Sequence, residues 1–200
     1  MICGANRTIT ARPLGGILQS LRCYSTIKIY DAVVFIDDRR AVEQGLIDPQ
    51  RTVMVGIRGA QMFSDGWEYC EAVGITVLYM EDVVEIGIAE TIRRVREVVG
   101  EHAPTYLTFD IDSLDPIYAP GTGTPEAGGL TTREAQALLR GLRGLDLVGA
   151  DMVEVSPPFD DTTNITSLSG ATVRVQLFSC YGVEHSGKQH VHSSHHSREA

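Results

Sequence analysis

Tyr106-Leu107-Thr108-Phe109-Asp110-Ile111-Asp112-Ser113-Leu114-Asp115-Pro116 is the stretch on which the fold and chemistry of this chain turn. A short apolar run rich in β-forming residues ends in two carboxylates, Asp110 and Asp112, spaced i, i+2. In an extended strand alternate side chains share a face, so both would point the same way. Two anionic oxygen donors at the end of a buried strand suit a divalent cation or a pair of them. The alternative is a strand that leaves the core through a polar turn, for which Asp115-Pro116 is an ordinary signal.

Outward from this stretch, strand and helix patterns alternate. Thr52 to Ile57 and Ile75 to Met80 are strand candidates. Ile88, Ile92, Val95 and Val99 recur at helical spacing, with Gly100 as a stop. After the strand at 105–110, Thr131 and Glu134 have the spacing of a capping box. They open a helix whose Ala135, Leu138, Leu139 and Leu142 make one apolar stripe, ended by Gly144. Leu145 to Val155 gives another strand, and the apolar segment at about 164–180 a final helix. Such alternation predicts an α/β fold with a parallel sheet and helices packed over it. In those sheets chemistry gathers beyond the carboxyl ends of the strands, where Asp110, Asp112 and Glu154 all fall.

The connection from 113 to 130 is long and has no core pattern, which marks it as functional or disordered. Its Gly and Thr content suggests a phosphate cradle, but no Gly-Lys-Ser/Thr follows. A rigid loop shaping the approach to the strand-end carboxylates is the better expectation. Gly56 and the Arg58-Gly59 pair read as turn chemistry and receive no role. Glu154, before Ser156-Pro157-Pro158, is either a satisfied strand-end residue or a carboxylate able to pair bidentately with a planar guanidinium.

Composition bounds the rest. With 200 residues and 43% hydrophobic content, the chain can bury the core of one globular domain. No apolar run reaches membrane length, so no membrane partner is expected. The net charge is −9 and every acidic residue lies after position 30, which argues against a nucleic-acid partner for the folded part. Cys3, Cys23, Cys70 and Cys180 have neither zinc-site nor disulfide spacing and read as free thiols. Residues 1–38 form an N-terminal extension with Arg7, Arg12 and Arg22 and an acid-free start, either a mitochondrial transit segment or an arbitrary extension. Localisation is thus mitochondrial or cytoplasmic. Residues 181–200 hold five histidines among Ser and Gly and read as a disordered His-rich tail. A further alternative makes both ends foreign sequence around a truncated domain.

Phe109-Asp110-Ile111-Asp112-Ser113-Leu114-Asp115-Pro116, then Ala119-Pro120-Gly121-Thr122-Gly123-Thr124-Pro125-Glu126, then Gly128-Gly129-Leu130-Thr131, closely resembles the ureohydrolase signature. This is the family of arginase, agmatinase and related guanidino-acid hydrolases. Val153-Glu154-Val155-Ser156-Pro157-Pro158-Phe159-Asp160 is similar to the block that follows in agmatinase-type members. The resemblance covers residues 39–180, roughly the C-terminal half of a complete member, and makes them a partial ureohydrolase domain. It implies an arginase-type three-layer α/β/α fold, here incomplete, and a hydrolase with two manganese ions releasing urea and an amine from a small guanidino substrate such as agmatine. By position, Asp110 would bridge the two ions and Asp112 would bind one. Glu154 would hold the substrate guanidinium, Thr124 would support that pocket, and Asp115 would form a turn. Homo-oligomers are implied for the complete family.

The family's upstream Gly-Asp-His and Asp-Ala-His-x-Asp ligand motifs are absent, and no histidine precedes His102, which reads as a surface residue. Two carboxylates are a poor match to two divalent ions. The expectation is therefore an agmatinase-like hydrolase by descent with impaired chemistry. The alternative is a non-catalytic binding module that joins intact family subunits. Metal storage through the His tail is a third class.

Overall fold

The computed structural model describes residues 24–29, 35–59 and 66–187. Five strands, β1 (Tyr24–Ile29), β2 (Ile47–Ile57), β3 (Thr76–Tyr79), β4 (Thr105–Asp110) and β5 (Leu147–Val153), form one sheet. Its order is β3-β2-β1-β4-β5. All pairings are parallel, so every strand delivers its carboxyl end to the same edge of the molecule.

The strands carry apolar side chains on one face because their sequence alternates. Ile27 pairs with Val53 and Leu107, and Ile29 with Val55 and Phe109. Leu107 in turn faces Ala150, and Phe109 faces Met152. Ile27, Ile29, Val53, Val55, Leu107 and Phe109 are fully buried. Helices α3 (Met80–Val99), α4 (Thr132–Gly141) and α5 (Ile165–Gly187) pack on this face through Val83, Val95, Val99, Leu138, Leu139, Val173 and Leu177. On the other face, α1 (Phe35–Glu43) and α2 (Gly66–Val73) enclose a smaller cluster of Met54, Ile57, Cys70 and Ile75, flanked by Val42 and Val73. Helices on both faces of a parallel sheet make the three-layer α/β/α arrangement expected from the sequence. The second face turns polar towards β5, where the Tyr106 hydroxyl donates to Asp151 Oδ2 at 2.9 Å.

Several boundaries differ from the sequence expectation. The N-terminal extension was expected to end at 38, yet β1 lies within it and occupies the centre of the sheet. Thr26-Ile27-Lys28-Ile29 alternates polar and apolar residues, and that period-two pattern outweighs the acid-free composition. β4 is consequently paired on both sides. β2 begins at Ile47, five residues early, and pairs there with Tyr24. β3 stops at Tyr79 because α3 starts at once, its first turn closed by Asp82, whose carboxylate accepts the Tyr79 N–H at 2.9 Å. The helix expected from Ile88 is the second part of α3, which kinks at Gly87, a non-helical residue at φ 76°. The Thr131–Glu134 capping box forms as the spacing predicts. α5 runs to Gly187, past the expected start of the tail at 181. Residues 1–23 of the extension expected as a transit segment or arbitrary sequence, and the remaining tail histidines, His190, His192, His195 and His196, lie outside the described residues. Cys70 and Cys180 are buried free thiols, and burial pushes the Cys70 thiol up to about 11. Among the described residues no helix is long and apolar enough to cross a membrane.

Candidate guanidinium site

The site grows from the carboxyl end of β4. The strand does not continue through Asp112 as the i, i+2 argument assumed. It stops at Asp110, and Ile111–Ser113 turns as one turn of 3₁₀ helix. The Asp110 side chain causes this: its Oδ1 accepts the Asp112 N–H at 2.9 Å, an interaction that caps the turn. The Ser113 hydroxyl closes back on the Asp110 carbonyl at 2.7 Å. Both carboxylates are buried, Asp110 at 6% exposure and Asp112 at 1%. A turn-capping carboxylate thus replaces the shared strand face as the reason the two residues sit together.

The loop that follows is anchored at its base. Leu130 N–H donates to the Ser113 carbonyl and Asp115 N–H to the Leu130 carbonyl, each at 2.9 Å. Asp115 Oδ1 accepts the Ile117 N–H at 3.1 Å and its Oδ2 the Gly128 N–H at 2.8 Å. Those backbone donors, Ile117 first, hold the Asp115 carboxyl below its usual range. The turn role expected of Asp115 is therefore a tie between the two ends of the loop.

From this base, two threonines on one bent segment reach opposite partners. The Thr124 hydroxyl donates to Asp112 Oδ2 at 2.5 Å. The Thr122 hydroxyl donates to the Glu154 carbonyl at 3.1 Å. Residues 122–124 thus bridge the end of β4 and the residue just past the end of β5. Gly121 completes the junction: its N–H donates to Thr166 Oγ1 at 2.8 Å, and its carbonyl accepts the Ser156 N–H at 2.9 Å.

Glu154 leaves β5 in a left-handed conformation at φ 65° and is exposed. That backbone is unfavourable for a residue with a Cβ and is kept only where the surroundings enforce it. The Thr122 bond to its carbonyl is one such constraint. A Cβ on Gly123 would stand 3.6 Å from Glu154 Oε2, an ordinary van der Waals contact, so Gly123 lies directly beside the carboxylate.

The other end of the site is fixed by α5. Asp160 Oδ1 accepts the Thr166 N–H at 3.0 Å, and its Oδ2 accepts the Ser167 N–H at 2.8 Å and hydroxyl at 2.9 Å. Burial alone would raise the Asp160 carboxyl, but the Ser167 and Thr166 donors outweigh it and hold the group at about 2. The carboxylate therefore caps α5 and steadies Thr166, which carries Gly121.

Among the described residues the two aspartates find no further ligands that would complete the pair of manganese ions implied by the resemblance. Asp110 Oδ1 and Asp112 Oδ2 already serve protein donors. Among the described residues no group of three or more His, Cys, Asp or Glu is placed to hold a metal ion. His102 is exposed on the surface, as its sequence context suggests. The sequence also passed over Arg58, whose guanidinium reaches the carbonyls of Asp112 and Leu114. Thr122, Asp160 and Thr166 were missed as well, since side chains that hold backbone leave no spacing signal.

An α/β chain with buried strand-end carboxylates and a loop-presented glutamate has the makings of a small-molecule site at a sheet's carboxyl edge. The Arginase family model matches residues 26–180, and the chain belongs to the arginase family. It is 56% identical over 139 residues to a guanidinopropionase from Pseudomonas aeruginosa, covering 70% of this chain and 43% of that protein. It is 46% identical over 144 residues to an agmatinase from Neisseria meningitidis serogroup C, covering 72% of this chain and 44% of the relative. Among solved structures, the proclavaminate amidino hydrolase from Streptomyces clavuligerus superposes with a TM-score of 0.73 at 34% identity, over 80% of this chain and 56% of that one. The chain spans less than half the length of the curated relatives it matches.

Proposed function

We propose that this chain carries the guanidinium-recognising part of an arginase-family hydrolase site. Glu154 is the observation that carries the proposal. It is an exposed carboxylate at the carboxyl edge of the sheet, on a left-handed backbone, with Gly123 beside it. A carboxylate so presented accepts two parallel N–H bonds from a planar guanidinium. The Thr122–Thr124 segment sets its separation from Asp112 and orients the guanidino carbon towards the end of β4. Asp110 and Asp112 supply negative charge there.

Manganese is the cofactor expected for the complete family, and the described donor set does not fit a pair of ions. Release of urea and an amine is therefore proposed for the family site as a whole, not for these residues acting alone. For the substrate, the higher identity to a guanidinopropionase than to an agmatinase favours a guanidino acid over the agmatine suggested by the signature blocks.

The second reading is a non-catalytic module that associates with intact family subunits, for which no guanidino binding through Glu154 is expected. One experiment separates them. Guanidinopropionate and agmatine are titrated calorimetrically into wild type and Glu154→Gln, and urea release and bound metal are measured after purification in manganese. The proposal expects ligand binding lost in Glu154→Gln, near-zero manganese and no urea above blank. Binding unaffected by Glu154→Gln refutes the assignment of Glu154. Two ions per chain with urea release refutes the non-catalytic reading.

A further inference from the structure

We infer that Arg58 is a positioning residue of this site, holding Asp112 and the base of the 113–130 loop in register with each other. The functional consequence rests on the guanidinium-binding reading above; the structural role stands apart from it. The sequence around Arg58 looks like ordinary turn chemistry, but the structure gives it more work. Gly56 adopts φ 92° inside β2, and the pairing with β3 shifts between Val55 and Ile57. A bulge of this kind bends a strand end and re-aims the next side chain. Arg58 is therefore directed across the end of β1 to the turn that follows β4.

There its guanidinium gathers carbonyls from both ends of the loop. Nη2 donates to Asp112 at 2.8 Å, to Leu114 at 3.3 Å and to Glu126 at 2.6 Å. Nε donates to Glu126 and Ala127, each at 3.2 Å. Nη1 reaches Gly56 at 3.4 Å and Ser113 at 3.5 Å. A planar fork with five N–H groups serves these six carbonyls by sharing hydrogens between neighbouring acceptors, a reach that the three N–H groups of an ammonium lack. The backbone is built around it: a Cβ on Gly129 would lie 2.6 Å from Arg58 Nη2 and 2.6 Å from Asp115 N. A Cβ on Gly59 would lie 2.9 Å from Glu126 Cγ.

Asp112 is consequently held at three points. Its N–H goes to Asp110, its carboxylate to Thr124 and its carbonyl to Arg58. Without Arg58 the carbonyls of 112–114 and 126–127 lose a common donor, and the loop base is held only by the Ser113–Leu130 and Asp115 bonds. Thr124 then loses its fixed relation to Asp112, and through Thr122 so does the backbone of Glu154.

The test is amide hydrogen exchange on the full chain, in a Glu154→Gln background so that the proposed substrate carboxylate takes no part. Arg58→Ala should quicken exchange at residues 112–130 about tenfold or more, with β1, β4 and β5 far less affected. Low-millimolar guanidinium chloride, well below denaturing levels, should refill the vacated space and restore protection, whereas ammonium should not. Arg58→Lys should loosen the same residues and resist rescue. If Arg58→Ala does not fold, Arg58→Lys carries the test: a loosened loop over an intact sheet supports the proposal, and wild-type exchange overturns it. Unchanged exchange in Arg58→Ala, loss spread evenly over loop and sheet, or failure of guanidinium to restore protection also overturns it. With Glu154 intact, Arg58→Lys should weaken agmatine or guanidinopropionate binding about tenfold. Absence of any ligand binding in wild type would sink the site reading and leave the exchange result standing.

Discussion

Replacing Glu154 by glycine should make the protein more stable and abolish guanidino-ligand binding. The residue sits at φ 65°. A left-handed backbone costs an L-residue about 1–2 kcal/mol. Glycine escapes that cost but gives back about 0.5–1 kcal/mol through the greater freedom of its unfolded chain. The side chain is exposed, and the fold's hold on this position is the Thr122 hydroxyl bond to the Glu154 carbonyl, which glycine keeps. The net expectation is a gain of about 0.5–1 kcal/mol, or about 1–4 °C in Tm for a chain of this length. Glu154→Ala is the necessary control, because it removes the carboxylate and retains the Cβ. It should lie within about 0.5 kcal/mol of wild type. Urea unfolding followed by circular dichroism gives the stabilities, and calorimetric titration with guanidinopropionate gives the binding. Glycine no more stable than alanine would refute the strain argument. Binding retained in both variants would refute the role of the carboxylate, whatever the stabilities.

Three further outcomes follow from the same structure. Asp160→Ala should cost about 1–2 kcal/mol by stripping the first turn of α5 of its acceptor. Since the native carboxyl is held at about 2, below the ordinary 3.8, its contribution is complete above the ordinary value and is lost as pH falls through about 2. Acid titrations of wild type and Asp160→Ala should therefore converge between about pH 4 and 2. Thr124→Val should leave Asp112 Oδ2 without its hydroxyl donor, destabilise by about 1–3 kcal/mol and weaken ligand binding more than its stability effect explains, as unfolding and titration would show. Leu139→Ala, at a position with 0% exposure under α4, should cost about 2–5 kcal/mol with ligand affinity unchanged.

How much of this was legible depended on whether the causal residues act through side-chain pattern or through backbone. Periodicity gave β4, α4 with its Thr131–Glu134 box, β5 and the core stripe of α4, because burial of alternate or helically spaced side chains is written directly in the sequence. β1 escaped because only Ile27 and Ile29 mark it and the surrounding composition points elsewhere. Its central place comes from pairing with β2 and β4, which are distant in sequence. The clustering of Asp110, Asp112, Thr124 and Glu154 was legible at the level of location. The local geometry was not: Asp112 stands in a 3₁₀ turn made by Asp110, and Glu154 in a left-handed backbone made by the loop. Arg58 was invisible for the same reason, since its partners are carbonyls, which every residue possesses.

That difference bears on what kind of site this is. The elements that present Glu154 — the 113–130 loop, the Thr166–Asp160 cap and the Arg58 fork — are all internal to the described residues and mutually hydrogen-bonded. Their ties are hydrogen bonds to backbone groups and to one another. Under the function proposed above, recognition of a guanidinium is structurally separable from the charge-neutralising centre expected of the complete family site. A fold organised this way can keep ligand binding when catalysis is lost, because the carboxylate's position depends on backbone bonds. Loosening the loop's base would disturb Asp112 and Glu154 together, and for that reason Arg58, rather than either aspartate, is the residue whose removal most sharply tests whether the site is preorganised.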